Sequence, residues 1–258
     1  PHPFTMPEGE PGVHPKLLNL KYPELRVRVE RAEQLSPEIT GPAARIILPI
    51  AELQANRELI PELGEKLCAE LPVFLAPGEE EKTLADLIAL REAGVARALC
   101  GGPGQIRLAR EAGMRVSGDY GLNVLNSIAL RELGKMGAED VTLSFENNLS
   151  QGAALGDYLP FGVIGYGYLP LMTFRVCPAQ GPGGCGRCRG EAFLTDRLGK
   201  KFPVVCRGRR YSQLLNTVPL YLGDKQGALE GFCHVTLRFT TESRGRCQRV
   251  MQLWREGA

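Results

Sequence analysis

Strand-like and helix-like runs alternate about eight times over about 230 of the 258 residues. That rhythm limits what the chain can fold into more than any other feature. The strand candidates are RVRV at 26–29, ARIILPI at 44–50, VFLAP at 73–77, ARALC at 96–100, RVSGD at 115–119, VTLSFE at 141–146, FGVIGYG at 161–167, VPLYL at 218–222 and HVTLRFT at 234–240. Between them, ELIPELGEKLCAEL, a run at about 81–93, QIRLAREAG and NVLNSIALRELGKMG read as helices. Length and count predict an α/β fold, a (β/α)8 TIM-like barrel, with a doubly wound open sheet as the alternative. The chain shows no nucleotide-binding glycine fingerprint, which favours the barrel. Active-site groups of such a barrel sit at the C-terminal strand ends. Cys100, Asp119, Glu146, Gly167 and Thr240 to Glu242 are therefore expected near one mouth.

The stretch from Gly165 to Asn216 breaks the rhythm. It carries Cys177, Cys185, Cys188 and Cys206, spaced C-x7-C-x2-C-x17-C, around a Gly/Pro loop and a helix-like EAFLTDRLG. Four thiolates suit a structural zinc or an iron–sulfur cluster, and spacing leaves both open beside disulfides or thiols. The same stretch is basic. Arg187 to Arg210 holds eight Lys or Arg against Glu191 and Asp196, a local charge of +6 in a chain of net charge +2. The net charge excludes a binder that is strongly basic all over. It leaves this segment as a site for RNA phosphate or a carboxylate, or as a solvated loop.

The first twenty residues hold five prolines and read as an arm or linker (1–20), followed by a barrel domain (21–258) with a cysteine-rich insertion at 175–210 over the mouth. A start at Pro1 fits an excerpt of a longer chain. No leader-like or membrane-spanning run is visible, which sets the expectation of a reducing, cytoplasmic setting and disfavours disulfides. Hydrolytic signatures such as GxSxG or HExxH are absent from the sequence. Of the three histidines, only His234 lies outside the proline-rich arm, and a core or surface role suits it. GGPG at 101–104 reads as a plain turn before a helix. Asn123, Asn126, Asn147 and Asn148 read as caps, with the first pair also placed to line the mouth. Cys68, Cys233 and Cys247 read as core or incidental thiols.

The runs GDYGLNVLNSIAL, VTLSFE, YGYLPLMTFRVC, CGRC, LTDRLGKKFPVVC and LLNTVPLYL resemble the collagenase-like peptidase family U-32, from about Arg26 to Glu242. GYLPLM before Cys177, the DR-x4-FPV block within 195–204 and LLNTVPL at 214–220 are the most specific parts. The resemblance implies a barrel-like catalytic domain and two activities. One is peptidase, as the family is labelled. The other is oxygen-independent hydroxylation of ribosomal RNA, tRNA or the ubiquinone ring, with prephenate as donor and a 4Fe–4S cluster on four cysteines. That pattern carries onto Cys177, Cys185, Cys188 and Cys206. Some relatives have a cysteine within the strand where this chain has Pro170, so the CxxC supplies the fourth thiolate here. Zinc in a non-catalytic, metal-stapled module is the remaining alternative. The expected substrate-binding residues are Arg175, Arg197, Asn123 and Glu146, and the expected RNA contacts are Arg207, Arg209 and Arg210.

Overall fold

A computed structural model describes residues 23–156, 158–181, 184–187, 191–208 and 210–257. The proline-rich arm, Cys188 and Arg209 lie outside the described residues. The chain runs β1 (Glu24–Arg28), α1 (Pro37–Thr40), β2 (Arg45–Pro49), α2 (Ile50–Ala55), α3 (Leu59–Leu63), β3 (Leu67–Glu70), α4 (Glu80–Glu92), β4 (Arg97–Cys100), α5 (Pro103–Glu111), β5 (Arg115–Gly118), α6 (Ser127–Met136), β6 (Ala138–Thr142), α7 (Leu149–Ala153) and β7 (Phe161–Gly167). Five further strands follow: β8 (Pro170–Phe174), β9 (Glu191–Thr195), β10 (Lys201–Arg207), β11 (Tyr211–Leu215) and β12 (Leu220–Tyr221). The last two elements are β13 (His234–Arg238) and α8 (Arg244–Glu256).

Strands β1 to β7 and β13 pair in parallel in the cyclic order β13-β1-β2-β3-β4-β5-β6-β7, and β7 returns to β13. The sheet is thus a closed eight-stranded barrel with helices between most strands, as the alternation predicts. The C-terminal part departs from a plain βα unit. Between β7 and β13 the chain builds a separate antiparallel sheet, ordered β8-β11-β10-β9, and β12 pairs antiparallel to β7. The helix-like EAFLTDRLG is strand β9 followed by a turn, because its residues pair with β10. VPLYL supplies only the short β12, outside the barrel circuit.

Two other expectations are corrected. The helix expected over ELIPELGEKLCAEL stops at Leu63, because Gly64 takes a left-handed φ of 54°. The third barrel strand is then LCAE, buried at all four positions, and VFLAP is loop. The sixth strand lies three residues earlier than VTLSFE suggests, at Ala138–Thr142. Closure also needs close approach of β7 and β13. A Cβ on Gly162 would lie 2.1 Å from the His234 carbonyl oxygen, so only glycine fits there.

Along each strand, alternate residues face the helices or the barrel interior. Val27, Ile46, Leu48, Ala98, Val116, Val235 and Leu237 join the large outer core. Cys100 joins it too and so faces away from the mouth, which removes it from the expected mouth group. Inside, Ile47, Cys68 and Leu99 form a small apolar layer. Burial pushes the Cys68 thiol up to about 12, so it stays protonated and inert, as a core thiol should. Below that layer, Arg26 holds Asp140 through two bonds of 2.7 and 3.1 Å, with Arg45 and Arg97 at 3.6 and 3.7 Å. His234 is fully buried nearby, 3.1 Å from Thr142 Oγ1. Burial and the Arg26 charge hold its imidazole well below its usual value, hence neutral. Among the described residues, no helix is long and apolar enough to cross a membrane.

Burial alone would raise the Asp140 carboxyl, but the Arg26 charge outweighs it and holds the group well below the usual carboxylate range. This contribution is complete above the unfolded carboxylate value of about 4, and it is lost as pH falls through the lower folded value. Asp140→Asn is expected to destabilise the protein by about 3–5 kcal/mol at neutral pH, since it strands a buried guanidinium. Urea denaturation at neutral and acid pH measures this, and the variant's deficit should shrink towards acid.

Candidate functional site at the barrel mouth

The antiparallel sheet docks on the C-terminal side of the barrel through β10, β11 and the turn between them. Arg207 at the end of β10 pairs with Glu30, just past β1. Arg210 pairs with Glu79, just before α4. The Val73 N–H donates to the Tyr211 hydroxyl at 3.2 Å, and the Arg175 guanidinium lies 5.6 Å from the centre of the Phe74 ring. Between sheet and barrel these contacts leave a cavity of about 450 Å³. Glu30, Glu70 and Thr240 contribute to it from barrel strand ends, Lys82 and Asp86 from α4, and Cys206, Arg207 and Tyr211 from the sheet. A concave, charged cavity at strand C-termini is the position where a barrel places its chemistry.

Below the cavity, the inward residues are charged. Arg28 is 2% exposed and binds both Glu70 oxygens at 2.8 and 2.5 Å, and Asp119 at 2.9 Å. Burial works against the Arg28 charge, but Asp119 and Glu70 more than offset it and lock the charged form. Thus Asp119 reaches the mouth side as expected, bound to Arg28. Glu242 is buried and accepts from the Tyr166 hydroxyl at 2.9 Å and the Thr240 N–H at 2.5 Å. Burial, then the Glu242 charge, pushes the Tyr166 phenol up. Gly167, with φ of 148°, would set a Cβ 2.6 Å from the Arg238 carbonyl oxygen, so β7 must end in glycine.

The expected site residues fall in several places. Arg207 and Cys206 line the cavity. The Arg207 side chain is only 14% exposed and is engaged by Glu30 and Gln213, so it faces the cavity rather than a passing nucleic-acid backbone. Arg175 is at the same end of the sheet. Arg197 is exposed in the β9–β10 turn, at the far end of β10, a strand length of about 20 Å from Arg207. Glu146 is exposed beyond β6. Asn123 is exposed and left-handed at the end of a 3-10 turn, φ 53°. Neither Asn123 nor Glu146 lines the cavity. Asn126 and Asn148 cap α6 and α7, accepting from the Ala129 and Gln151 N–H groups. GGPG is a helix entry, with Gly102 at the cap of α5 and Pro103 after it.

Cys177 and Cys206 share one end of the sheet. Strands β8 and β10 flank β11 and run the same way, and Phe174, Ser212 and Cys206 stand in one row across them. Cys177 lies three residues beyond Phe174, and Cys185 lies on the chain leading from β8 to β9. Among the described residues, no group of three or more His, Cys, Asp or Glu is arranged to hold a metal. The donor chemistry of Cys177, Cys185 and Cys206 therefore suits a soft metal, whereas their described positions do not form its site.

The sequence reading missed Glu30, Glu70 and Tyr211 as residues that line the mouth cavity, and Arg238 as an inward residue beneath it. The signal was present in RVRVE and HVTLR, where polar residues alternate with apolar ones in strands covered on their outer face by helices.

No family model matches this chain, and no curated protein matches it in sequence. Among solved structures the chain is similar to 3-hexulose-6-phosphate synthase from Salmonella typhimurium, at 12% identity and TM-score 0.46, over 91% of this chain and 100% of that one. It is similar to the U32 peptidase Mk0906, at 14% identity and TM-score 0.43, over 60% of this chain and 74% of that one. A third likeness is to the putative copper homeostasis protein CutC from Streptococcus agalactiae, at 12% identity and TM-score 0.43, over 54% and 86%.

If the Arg207–Glu30 pair fastens the sheet to the barrel, a double-mutant cycle with Arg207→Gln and Glu30→Gln should return a coupling of about 1–3 kcal/mol in urea denaturation. A coupling near zero would mean that other contacts hold the sheet.

Proposed function

We propose that this chain is a U32-type barrel protein that carries out oxygen-independent hydroxylation of RNA, with the mouth cavity taking the small carboxylate donor, such as prephenate. The observation that carries the reading is the shared lining of the cavity. Cys206, one of the four cysteines of the family pattern, and Arg207, a cation for a carboxylate, are adjacent residues on it. Cys177, Cys185, Cys188 and Cys206 are the proposed ligands of a 4Fe–4S cluster, whose binding would have to draw Cys177, Cys185 and Cys206 together from their described positions and which when bound would supply one-electron chemistry. The chain's own contribution is to hold the anion, to cover it with the antiparallel sheet and to keep water away from it.

The RNA side of the proposal rests on charge. With Arg207 and Arg210 paired to Glu30 and Glu79, the exposed cations without such a pair among the described residues of the segment are Arg197, Lys200 and Lys201 around the β9–β10 turn. These three are better placed for phosphate than Arg207, because binding it does not require leaving a buried carboxylate.

The test is anaerobic loading with iron and sulfide. Wild type should take up iron and sulfide and show a visible cluster absorption band. Ser at Cys177, Cys185, Cys188 or Cys206 should remove most of the iron, and Cys68→Ser should not. Changing Arg197, Lys200 and Lys201 to Gln should weaken RNA binding across sequences and flatten its salt dependence, with iron content intact. Equal iron loss on Cys68→Ser would refute the ligand set. Cleavage of a protein substrate by highly purified, iron-free chain would favour peptidase activity instead.

A further inference from the structure

Arg238 ends β13 and stands beside Arg28 in register across the β1–β13 pair. Both side chains point into the barrel, and both guanidinium groups lie close to the Tyr120 ring, at 5.9 and 5.8 Å from its centre. Their pairing differs. Arg28 turns its Nε and Nη2 edge to Glu70 and is fully engaged. Arg238 is 1% exposed and donates only from Nη1, to the Tyr168 carbonyl at 2.8 Å. Its Nε and Nη2, the same two-pronged edge, are buried and have no hydrogen-bond partner among the described residues.

A guanidinium edge of this kind matches a carboxylate through two parallel bonds. Burying it without a partner is destabilising, so a structure that keeps it has a reason to do so. The place of Arg238 supplies one. Glu30 and Thr240, two residues further along β1 and β13 than Arg28 and Arg238, line the mouth cavity. Arg238 is therefore one inward step beneath that cavity. Glu30 also has a buried oxygen, Oε1, with no partner, so the groups at the floor are set up for something beyond each other. Glu70 and Asp119 are both taken up by Arg28, which leaves Arg238 without a carboxylate among the described ion pairs.

We infer that Arg238 is the anchor of the mouth cavity, binding a carboxylate group of the small ligand through its Nε and Nη2 edge. This rests on the reading that the cavity takes a small carboxylate, and it names the residue that fixes how deep and in which orientation that ligand sits. Arg207, above, screens the second negative charge of a dicarboxylate. Glu30 Oε1 remains for a hydroxyl group on the same ligand, whereas the Thr240 hydroxyl donates to Glu242 Oε2 at 3.4 Å and is left only as an acceptor. Lys in place of Arg238 keeps the charge but loses the paired geometry.

The probe is malonate, titrated into the full chain, with affinity from calorimetry and the Arg Nε–H signals followed by NMR. The Arg238 signal is assigned through its own backbone. Malonate should move and sharpen the Arg238 Nε–H signal. Arg238→Lys should weaken binding at least about tenfold, while Arg249→Gln, on the exposed side of α8, should bind as wild type. Malonate binding that is weakened by Arg207→Gln but leaves the Arg238 signal unmoved overturns the assignment and leaves the cavity reading intact. Wild type that binds no malonate overturns both. If Arg238→Lys does not fold, the wild-type signal decides alone.

Discussion

Closure of the parallel sheet is the constraint on which the rest depends. When β6 meets β7 and β13 meets β1, no strand edge is left, and every inward side chain is cut off from water except at the two ends. This chain places arginines and acids at many inward positions, and most of them find a partner inside the barrel, Arg238 being the exception among the described residues. Arg26 with Asp140 settles the lower end, and Arg28 with Glu70 and Asp119 settles the upper. Between them Ile47, Cys68 and Leu99 form a thin apolar layer that separates the two polar networks. Such networks fix the relative positions of strands far apart in sequence, since a carboxylate accepts a guanidinium only in a narrow range of geometries.

The upper network also gives the mouth its character. The barrel ends in charge on the side where β10 and β11 come down. The sheet answers with Arg207 against Glu30 and with Tyr211 against the Val73 amide. Cavity and sheet thus form one object. The floor comes from β1, β3 and β13, and the cover comes from residues inserted between β7 and β13. The gap left between them carries charged groups on both sides, Glu30 and Glu70 below and Arg207 above, set among apolar residues such as Ile50, Leu71 and Val205.

The residues that line the cavity are scattered in sequence over more than two hundred positions, from Glu30 to Thr240. The cysteines, in contrast, are local. Their spacing follows from a hairpin-like insertion whose strands β8 and β10 end together, so sequence neighbours and spatial neighbours coincide there. This difference explains why the thiols are legible in the sequence and the mouth charges are not.

The sequence by itself determined the barrel. Alternation of β-branched runs and amphipathic runs is a local property, set by backbone preference and by which faces are apolar, and both are written in short windows. It also determined that Asn126 and Asn148 are caps, because that role depends on neighbours a few residues away. The tertiary structure alone decided the rest. EAFLTDRLG became a strand because β10 offered it a ladder, and LCAE became the third barrel strand because closure buried both its faces. It also decided that Arg207 meets Glu30 and that Arg238 lies beside Arg28 with its paired edge vacant. Partner choice among buried charges depends on strand register around a closed sheet. A shift of one residue would turn every inward arginine out to the helices, and nothing within a short window specifies that register.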